Sequence, residues 1–388
     1  MKRKIPLSRP DITEKEIKAV LAVIKTPYLS LGPKHKEFEE SVAEYIGVKY
    51  AISVSSGTAG LHLVIRALDI KEGDEVITTP FSFVCSSNVM LFERARPVFV
   101  DIDPETLNID TQDIEELFAS RYDFDGEVLR NRKTRAEVKA VLPVHVFGQP
   151  CDMDGIIQIA KKYNLKVVED ACEAIGAEYK GKKVGTFGEA SVFAFYANKQ
   201  ITTAEGGMIV SNDEKIAKLC KSMRNQGRDE GSAWLVHRRL GYNYRLNEIS
   251  AALGITQMRR IKEILQARGR VANLYNERLK DFEGIEIPYI SSQTKMSWFV
   301  YVIRVGRKIN RDKVMEHLQE KGIECRAYFP PIHLQPFYSK MFGFKEGDFP
   351  ITEKVSKSTV ALPIYNNLLE KQIDYVCENL KEILEAMK

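Results

Sequence analysis

Lys199 lies in FAFYANKQITTAEGG (residues 193–207), directly after a strand-like apolar run, ASVFAF. An ammonium group beside a buried strand is costly unless something pairs with it or discharges it. One means of discharge is condensation with an aldehyde to a Schiff base, the chemistry of pyridoxal phosphate enzymes. The alternative is an ordinary surface lysine at a strand-to-loop junction. Asp170 ends a second strand-like run, LKVVED, 29 residues earlier. A strand-end carboxylate suits a pyridine nitrogen: it keeps that nitrogen protonated, so the ring accepts electrons from a carbon losing its proton. A lysine displaced from an imine can then move the proton between carbons. SSGTAG sits between a strand pattern, YAISVSS, and a helix pattern, TAGLHLVIRALDI. A strand–glycine turn–helix unit points backbone N–H groups at an anion, with Gly57 permitting close approach and Thr58 adding a hydroxyl. The stretch lacks the GK[ST] of a P-loop and the GxGxxG of a dinucleotide site, and such turns also serve tight packing. Phe83, just past another strand end, offers a face to a planar ring or fills a core. Gly57, Thr58, Phe83, Asp170 and Lys199 are coherent together as a pyridoxal phosphate site. His145 shares the strand-end position, as a site residue or a hydrogen-bonded loop histidine.

These residues need a scaffold that brings distant strand ends together. DITEKEIKAVLAVIKT and KHKEFEESVAEYIGV read as amphipathic helices, the first with Asp11 as its cap. From YAISVSS onward, strand and helix patterns alternate through EVITT, RPVFV, AEVKAVLPV, LKVVEDACEAIGAEY, ASVFAF and GGMIVSND. Alternation of this kind predicts an α/β protein with a mostly parallel sheet covered by helices. In such sheets functional residues gather at the carboxyl ends of strands. The polar segment 120–137 reads as a surface excursion that alters a subunit contact or the site rim. From GYNYRLNEISAALG a helical pattern of about 30 residues or more runs with few breakers, as in a domain connector. After Pro288 a smaller strand–helix–strand unit follows, closed by an amphipathic helix. The expected division is a large domain over residues 1–258 and a small C-terminal α/β domain over 259–388.

Composition narrows the classes. Of 388 residues, 57 are basic and 53 acidic, interspersed, so the net +4 forms no block that would attract nucleic acid or an anionic membrane. No stretch approaches the ~20 apolar residues of a membrane span, and MKRKIPLSRPDI has no signal-peptide core. The six cysteines form no CxxC pair and the six histidines are dispersed, which argues against a metal site and for reduced thiols in the cytoplasm.

Nine stretches, in order, carry a resemblance: SLGPKHKEFEE, SSGTAGLHL, TPFSFVCSSN, PVFVDIDPETLNID, VHVFGQPCDMD, EDACEAIGAEYKGKKVGTFGE, FAFYANKQITTAEGGMI, GYNYRLNEISAALGITQ and YFPPIHLQPFY. Over almost its full length the chain resembles the DegT/DnrJ/EryC1/StrS family of nucleotide-sugar aminotransferases. The resemblance implies pyridoxal phosphate fold type I, shared with aspartate aminotransferase, with a mostly parallel seven-stranded sheet. It implies that Lys199 forms the Schiff base, Asp170 pairs with the pyridinium nitrogen, and Glu173 lies near the phenolic oxygen. Phe83 matches the stacking aromatic, and Gly57, Thr58 and Ala59 the phosphate turn. Asn243 matches an asparagine reaching the cofactor phosphate of the neighbouring subunit, which implies a homodimer with shared sites. Ala194 stands where the family places a phosphate-binding serine, and one lost hydroxyl costs ~0.5–1.5 kcal/mol of cofactor binding.

The implied reaction takes an amino group from L-glutamate and delivers it to a nucleotide-linked keto sugar. The ITTAEGGM and AALGITQ textures resemble members that aminate carbon 4, giving 4-amino-4,6-dideoxy sugars of the perosamine kind for surface polysaccharide. Arg228, Arg245 and Arg326 are candidates for a diphosphate or for structural ion pairs. The alternatives are C-3 amination, a cyclitol or aminobenzoate substrate, and a non-catalytic regulatory member. A dehydratase of the family would carry histidine at position 199.

Overall fold

The first strands of the chain already show how the scaffold works. β1 (Tyr50–Val54) runs into α3 (Gly57–Ala67), β2 (Asp74–Thr78) into α4 (Cys85–Phe92), and β3 (Arg96–Phe99) toward α5 (Thr111–Arg121), preceded by α1 (Glu14–Ile24) and α2 (Pro33–Ile46). This computed structural model describes residues 4–231, 233 and 235–387. Residues 1–3 and 388, the outer limits of the two expected domains and the start of MKRKIPLSRPDI, lie outside the described residues. The alternation continues through β4 (Tyr122–Phe124), β5 (Leu129–Asn131), β6 (Glu137–Val141), α6 (Met153–Lys162) and β7 (Lys166–Asp170). A short hairpin, β8 (Glu178–Tyr179) and β9 (Lys182–Lys183), precedes β10 (Ala190–Ala194), β11 (Gly207–Ser211) and α7 (Glu214–Arg224).

Seven strands form the path β1-β11-β10-β7-β6-β2-β3. β11 alone runs antiparallel to its neighbours β1 and β10, while β10-β7-β6-β2-β3 pair in parallel. The central strands are apolar on both faces, with Val167, Val168, Val192 and Ile209 buried, as helix cover on both sides requires. β10 pairs in parallel with β7, and β1 and β10 both run antiparallel to β11, so the ends of β1, β7 and β10 lie on one side of the sheet, where Ser56, Asp170 and Ala194 emerge.

Four local expectations change. The cap of α1 is Thr13, not Asp11: its side chain accepts from the Lys15 N–H, and Glu16 accepts from the Thr13 N–H at 2.8 Å. Asp11 instead accepts from Arg260 and Asn366, at 2.8 and 2.9 Å. The long connector is two helices, α8 (Glu248–Arg259) and α9 (Ile261–Leu279). They break at Arg260, whose guanidinium is drawn to Glu16 at 3.0 Å and to Asp11. No proline or glycine marks that break, so periodicity runs through it. LKVVEDACEAIGAEY is strand only to Asp170 and then turns, with Gly176 at φ +84. The excursion 120–137 is the β4/β5 hairpin, joined to the sheet by an Arg130–Glu137 pair at the start of β6. It lies at the amino end of that strand and is no part of a rim at the carboxyl ends.

The C-terminal elements are β12 (Ile285–Glu286), β13 (Thr294–Lys295), β14 (Tyr301–Val305), α10 (Arg311–Glu320), α11 (Pro336–Phe342), α12 (Pro350–Ser356), β15 (Thr359–Leu362) and α13 (Glu370–Ala386). Their core takes in Val271, Tyr275 and Leu279 of α9, whereas Ile261 and Ile264 pack in a separate cluster with Phe38, Phe195 and Met208. Ile5, counted above with the large domain, is buried in the C-terminal core and bridges to Ile323. The run IPL is too short to show its partner in the sequence. Among the described residues no helix is long and apolar enough to cross a membrane.

Candidate active site

A cavity of about 490 Å³ opens where the carboxyl ends of β1, β7 and β10 converge, and Gly57, Thr58, Phe83, Asp170, Glu173, Ala194 and Lys199 all line it. Asp170 and Lys199 therefore face one space. α3 begins at that space, capped by Ser56, whose Oγ accepts from the Ala59 N–H at 3.0 Å. Ala59 is thereby committed to the cap and does not line the cavity. Gly57 and Thr58, at the first positions of α3, have N–H groups without helical acceptors, the ordinary source of anion affinity. Gly57 is required by packing as well. A Cβ there would stand 2.8 Å from Cys172 Sγ and 2.9 Å from Ala194 Cβ. Gly57→Ala is expected to cost about 1–3 kcal/mol of stability, readable by thermal unfolding.

Asp170 is buried; its Oδ2 accepts from Ser86 Oγ at 2.7 Å and its Oδ1 from the Cys172 N–H at 3.1 Å. Two neutral donors hold the carboxylate, and no salt bridge to it occurs among the described residues. Glu173 Oε2 accepts from the Phe147 N–H at 2.9 Å, and its Oε1 stands 3.4 Å from Lys199 Nζ. Burial pushes the Glu173 carboxyl above its usual range, and the neighbouring Lys199 pulls it partly back. Phe83 is 60% exposed, an aromatic face turned outward at the cavity wall. Asn198 Oδ1, on the wall beside Lys199, is buried without a hydrogen-bond partner.

Other expectations fall elsewhere. Asn243 is exposed, bridged to Asn225, and does not line its own chain's cavity. Arg228 and Arg245 both donate to Asn225 Oδ1, at 2.9 and 3.0 Å, and Arg326 donates to the Cys325 carbonyl. His145 is a packing residue. Its Nδ1 accepts from the Cys151 N–H, which places the proton on Nε2 facing Glu169 at 3.2 Å. Burial alone would raise the Glu169 carboxyl; His145 and the N–H groups of Gly185 and Phe187 outweigh it and hold it low.

The sequence reading missed Ser86, Asn198, Phe299, Tyr328 and Phe329, all on the cavity wall. The last three come from the C-terminal unit and close the cavity from the far side. TPFSFVCSSN was available as a signal for Ser86; nothing local marks Phe299, which sits in an ordinary strand pattern.

The residues fit a planar, phosphorylated pyridine aldehyde. An amine, a buried carboxyl held by neutral donors, an exposed aromatic face, an orphaned buried amide oxygen and a helix start surround one space. The model of the DegT/DnrJ/EryC1/StrS aminotransferase family matches residues 10–381. The chain belongs to that family. It is a pyridoxal phosphate-dependent transaminase, and its α/β architecture is that of fold type I. An uncharacterized protein of Methanocaldococcus jannaschii, MJ1066, is 43% identical, covering 98% of this chain and 97% of its own. GDP-perosamine synthase of Caulobacter vibrioides is 36% identical over 98% of both chains. Helicobacter pylori PseC, an aminotransferase involved in the biosynthesis of pseudoaminic acid, superposes with a TM-score of 0.89. It is 29% identical, with 99% of this chain and all of PseC covered.

Proposed function

We propose that this aminotransferase moves an amino group from L-glutamate to a nucleotide-linked 4-keto-6-deoxyhexose, giving a 4-amino-4,6-dideoxy sugar for surface polysaccharide. The observation that carries the reading is that Lys199, Asp170 and the start of α3 share one cavity. Similarity to GDP-perosamine synthase supports the sugar and the position aminated. When bound, pyridoxal phosphate supplies an aldehyde that captures amines and a ring that accepts the electron pair left by a lost proton. Lys199 would hold that aldehyde, and its freed Nζ would then carry the proton between carbons in both halves of the reaction. Asp170 would hold the proton on the ring nitrogen, and Phe83 would stack on the ring. Glu173 would stand by the phenolic oxygen, and Gly57 and Thr58 would bind the phosphate. Burial of Glu173 and Asp170 keeps water from competing for these contacts.

The reading includes a cytoplasmic homodimer in which Asn243 of one subunit reaches the other's site. Asn243 is exposed, and Ile17, Leu21 and Ile24 of α1 leave an apolar stripe open at helical spacing, 44 to 51% exposed. We also propose the division into a large unit, residues 1–258, and a C-terminal unit, 259–388, with Ile5 packed in the latter.

The decisive experiment is product analysis with a panel of nucleotide-linked 4-keto and 3-keto sugars, preceded by absorbance spectroscopy with glutamate. Visible absorbance bleached by glutamate, and a 4-amino product, are expected, with ping-pong kinetics. Turnover of 3-keto sugars alone overturns the position; no bleaching with any amino acid overturns the reaction. Ala194→Ser restores a hydroxyl beside Gly57 and is expected to tighten cofactor binding by ~0.5–1.5 kcal/mol, a roughly 2- to 10-fold lower Kd by titration.

A further inference from the structure

Phe299 lies directly against Lys199, with Nζ 3.8 Å from the centroid of its buried ring. What fixes that ring comes from a third part of the chain. Arg268, in the middle of α9, is buried and donates its Nε–H to the Trp298 carbonyl at 2.6 Å and its Nη2–H to the Phe299 carbonyl at 2.7 Å. No salt bridge to Arg268 occurs among the described residues. Burial pulls its guanidinium down to about 10, which leaves it charged at neutral pH. Taking a charge out of water is expensive, and charge-assisted bonds to two consecutive carbonyls are what this one obtains in return.

The same segment is gripped from the lysine's side. Gln200, next in the chain to Lys199, donates Nε2–H to the Glu173 carbonyl at 2.6 Å and to Ser297 O and Oγ at 3.1 and 3.0 Å. The Ser297 N–H donates to the Gly148 carbonyl at 3.0 Å. Gly148 has φ +91, and a Cβ there would fall 1.7 Å from Ser297 O. Residues 297–299 are thus held by buried polar groups on both sides, one on α9 and one adjoining Lys199.

We propose that Arg268 and Phe299 are positioning residues for Lys199: Arg268 fixes the backbone at 298–299, so that the Phe299 ring parks the free amine beside Glu173. This rests on the reading of Lys199 as the working amine. A cation over an aromatic face is stabilised modestly at exposed sites and more where water is excluded. A parked amine returns to one orientation whenever it is released.

The test needs no turnover. In cofactor-free protein at neutral pH, the rate at which N-hydroxysuccinimidyl acetate acetylates Lys199 is followed by peptide mass spectrometry, with exposed lysines as internal references. Phe299→Leu keeps an apolar side chain and removes the aromatic face; Lys199 is expected to react about 3- to 10-fold faster. Phe299→Tyr is expected to stay within about twofold of the parent. Arg268→Lys, with a single point-like donor group, is expected to fall between the two. If Phe299→Leu reacts at the parent rate, the proposal is overturned; if only Arg268→Lys does, Arg268 has no part in it. Circular dichroism identifies a variant that has not folded, and Phe299→Leu carries the test should Arg268→Lys be one. Borohydride trapping of pyridoxal phosphate on parent Lys199 is scored separately. Its failure would sink the proposed function without touching the acetylation result.

Discussion

Lys199→Ala is expected to abolish both the glutamate-dependent bleaching and amino transfer, lowering the rate by at least about 10³-fold. A loss of that size follows from what surrounds the amine. Among the residues lining the cavity, Lys199 is the one amine, and no histidine joins it. Its ion-pair neighbour, Glu173, is buried, and burial pushes its carboxyl above the usual range. Removing the ammonium takes away the partner that lowers it, so the carboxyl moves further up and still less can serve as a base. Folding should be little affected, because a protonated Glu173 keeps its bond from the Phe147 N–H and no unpaired buried charge remains. The measurement is the single-turnover rate with L-glutamate, alongside the thermal midpoint. A variant that keeps a tenth of the parent rate with an unchanged midpoint would remove Lys199 from the chemistry.

The parts of this site legible in the sequence are those whose chemistry is local. A lysine after an apolar strand, an aspartate ending another and a glycine at a strand–helix turn each have a reason visible within a few residues, and parallel sheet topology brings the three ends together. Phe299 and Arg268 illustrate the converse. Phe299 reads as one aromatic in the strand pattern SWFVYVIRV, and its meaning comes from Lys199, a hundred residues earlier. Arg268 reads as an ordinary polar residue of a long helix. The sequence cannot show that its side of α9 is covered by Trp298 and Phe299. Arg260 misled for the same reason: its guanidinium answers to Glu16 and Asp11 at the other end of the chain. The helix breaks at that long-range ion cluster, where the local sequence would continue it. Ala59 is a finer case, since Ser56, Gly57 and Thr58 before it line the cavity while its own N–H is turned back to the Ser56 hydroxyl.

Asp170→Asn is expected to lower the rate of the glutamate half-reaction by about 10²–10³-fold while leaving the fold intact. The substitution isolates charge from shape. The introduced carboxamide retains an oxygen to accept from the Cys172 N–H, and its NH₂ donates to Ser86 Oγ, whose own proton has the Phe83 carbonyl within 3.2 Å as an alternative acceptor. Stability should shift by no more than about 1 kcal/mol. What disappears is the negative charge at the end of β7. On the proposed reading, a carboxylate at this position would keep a proton on the ring nitrogen; a neutral amide in its place would favour the unprotonated nitrogen, a poorer acceptor of electrons. The loss should therefore fall on the deprotonation step and leave the Kd for cofactor within a few-fold, readable by stopped-flow absorbance with α-deuterated glutamate, where the isotope effect grows as that step becomes limiting. A rate within threefold of the parent, or a large fall in cofactor affinity with no change in isotope effect, would mean that Asp170 holds the cofactor in place without tuning its ring.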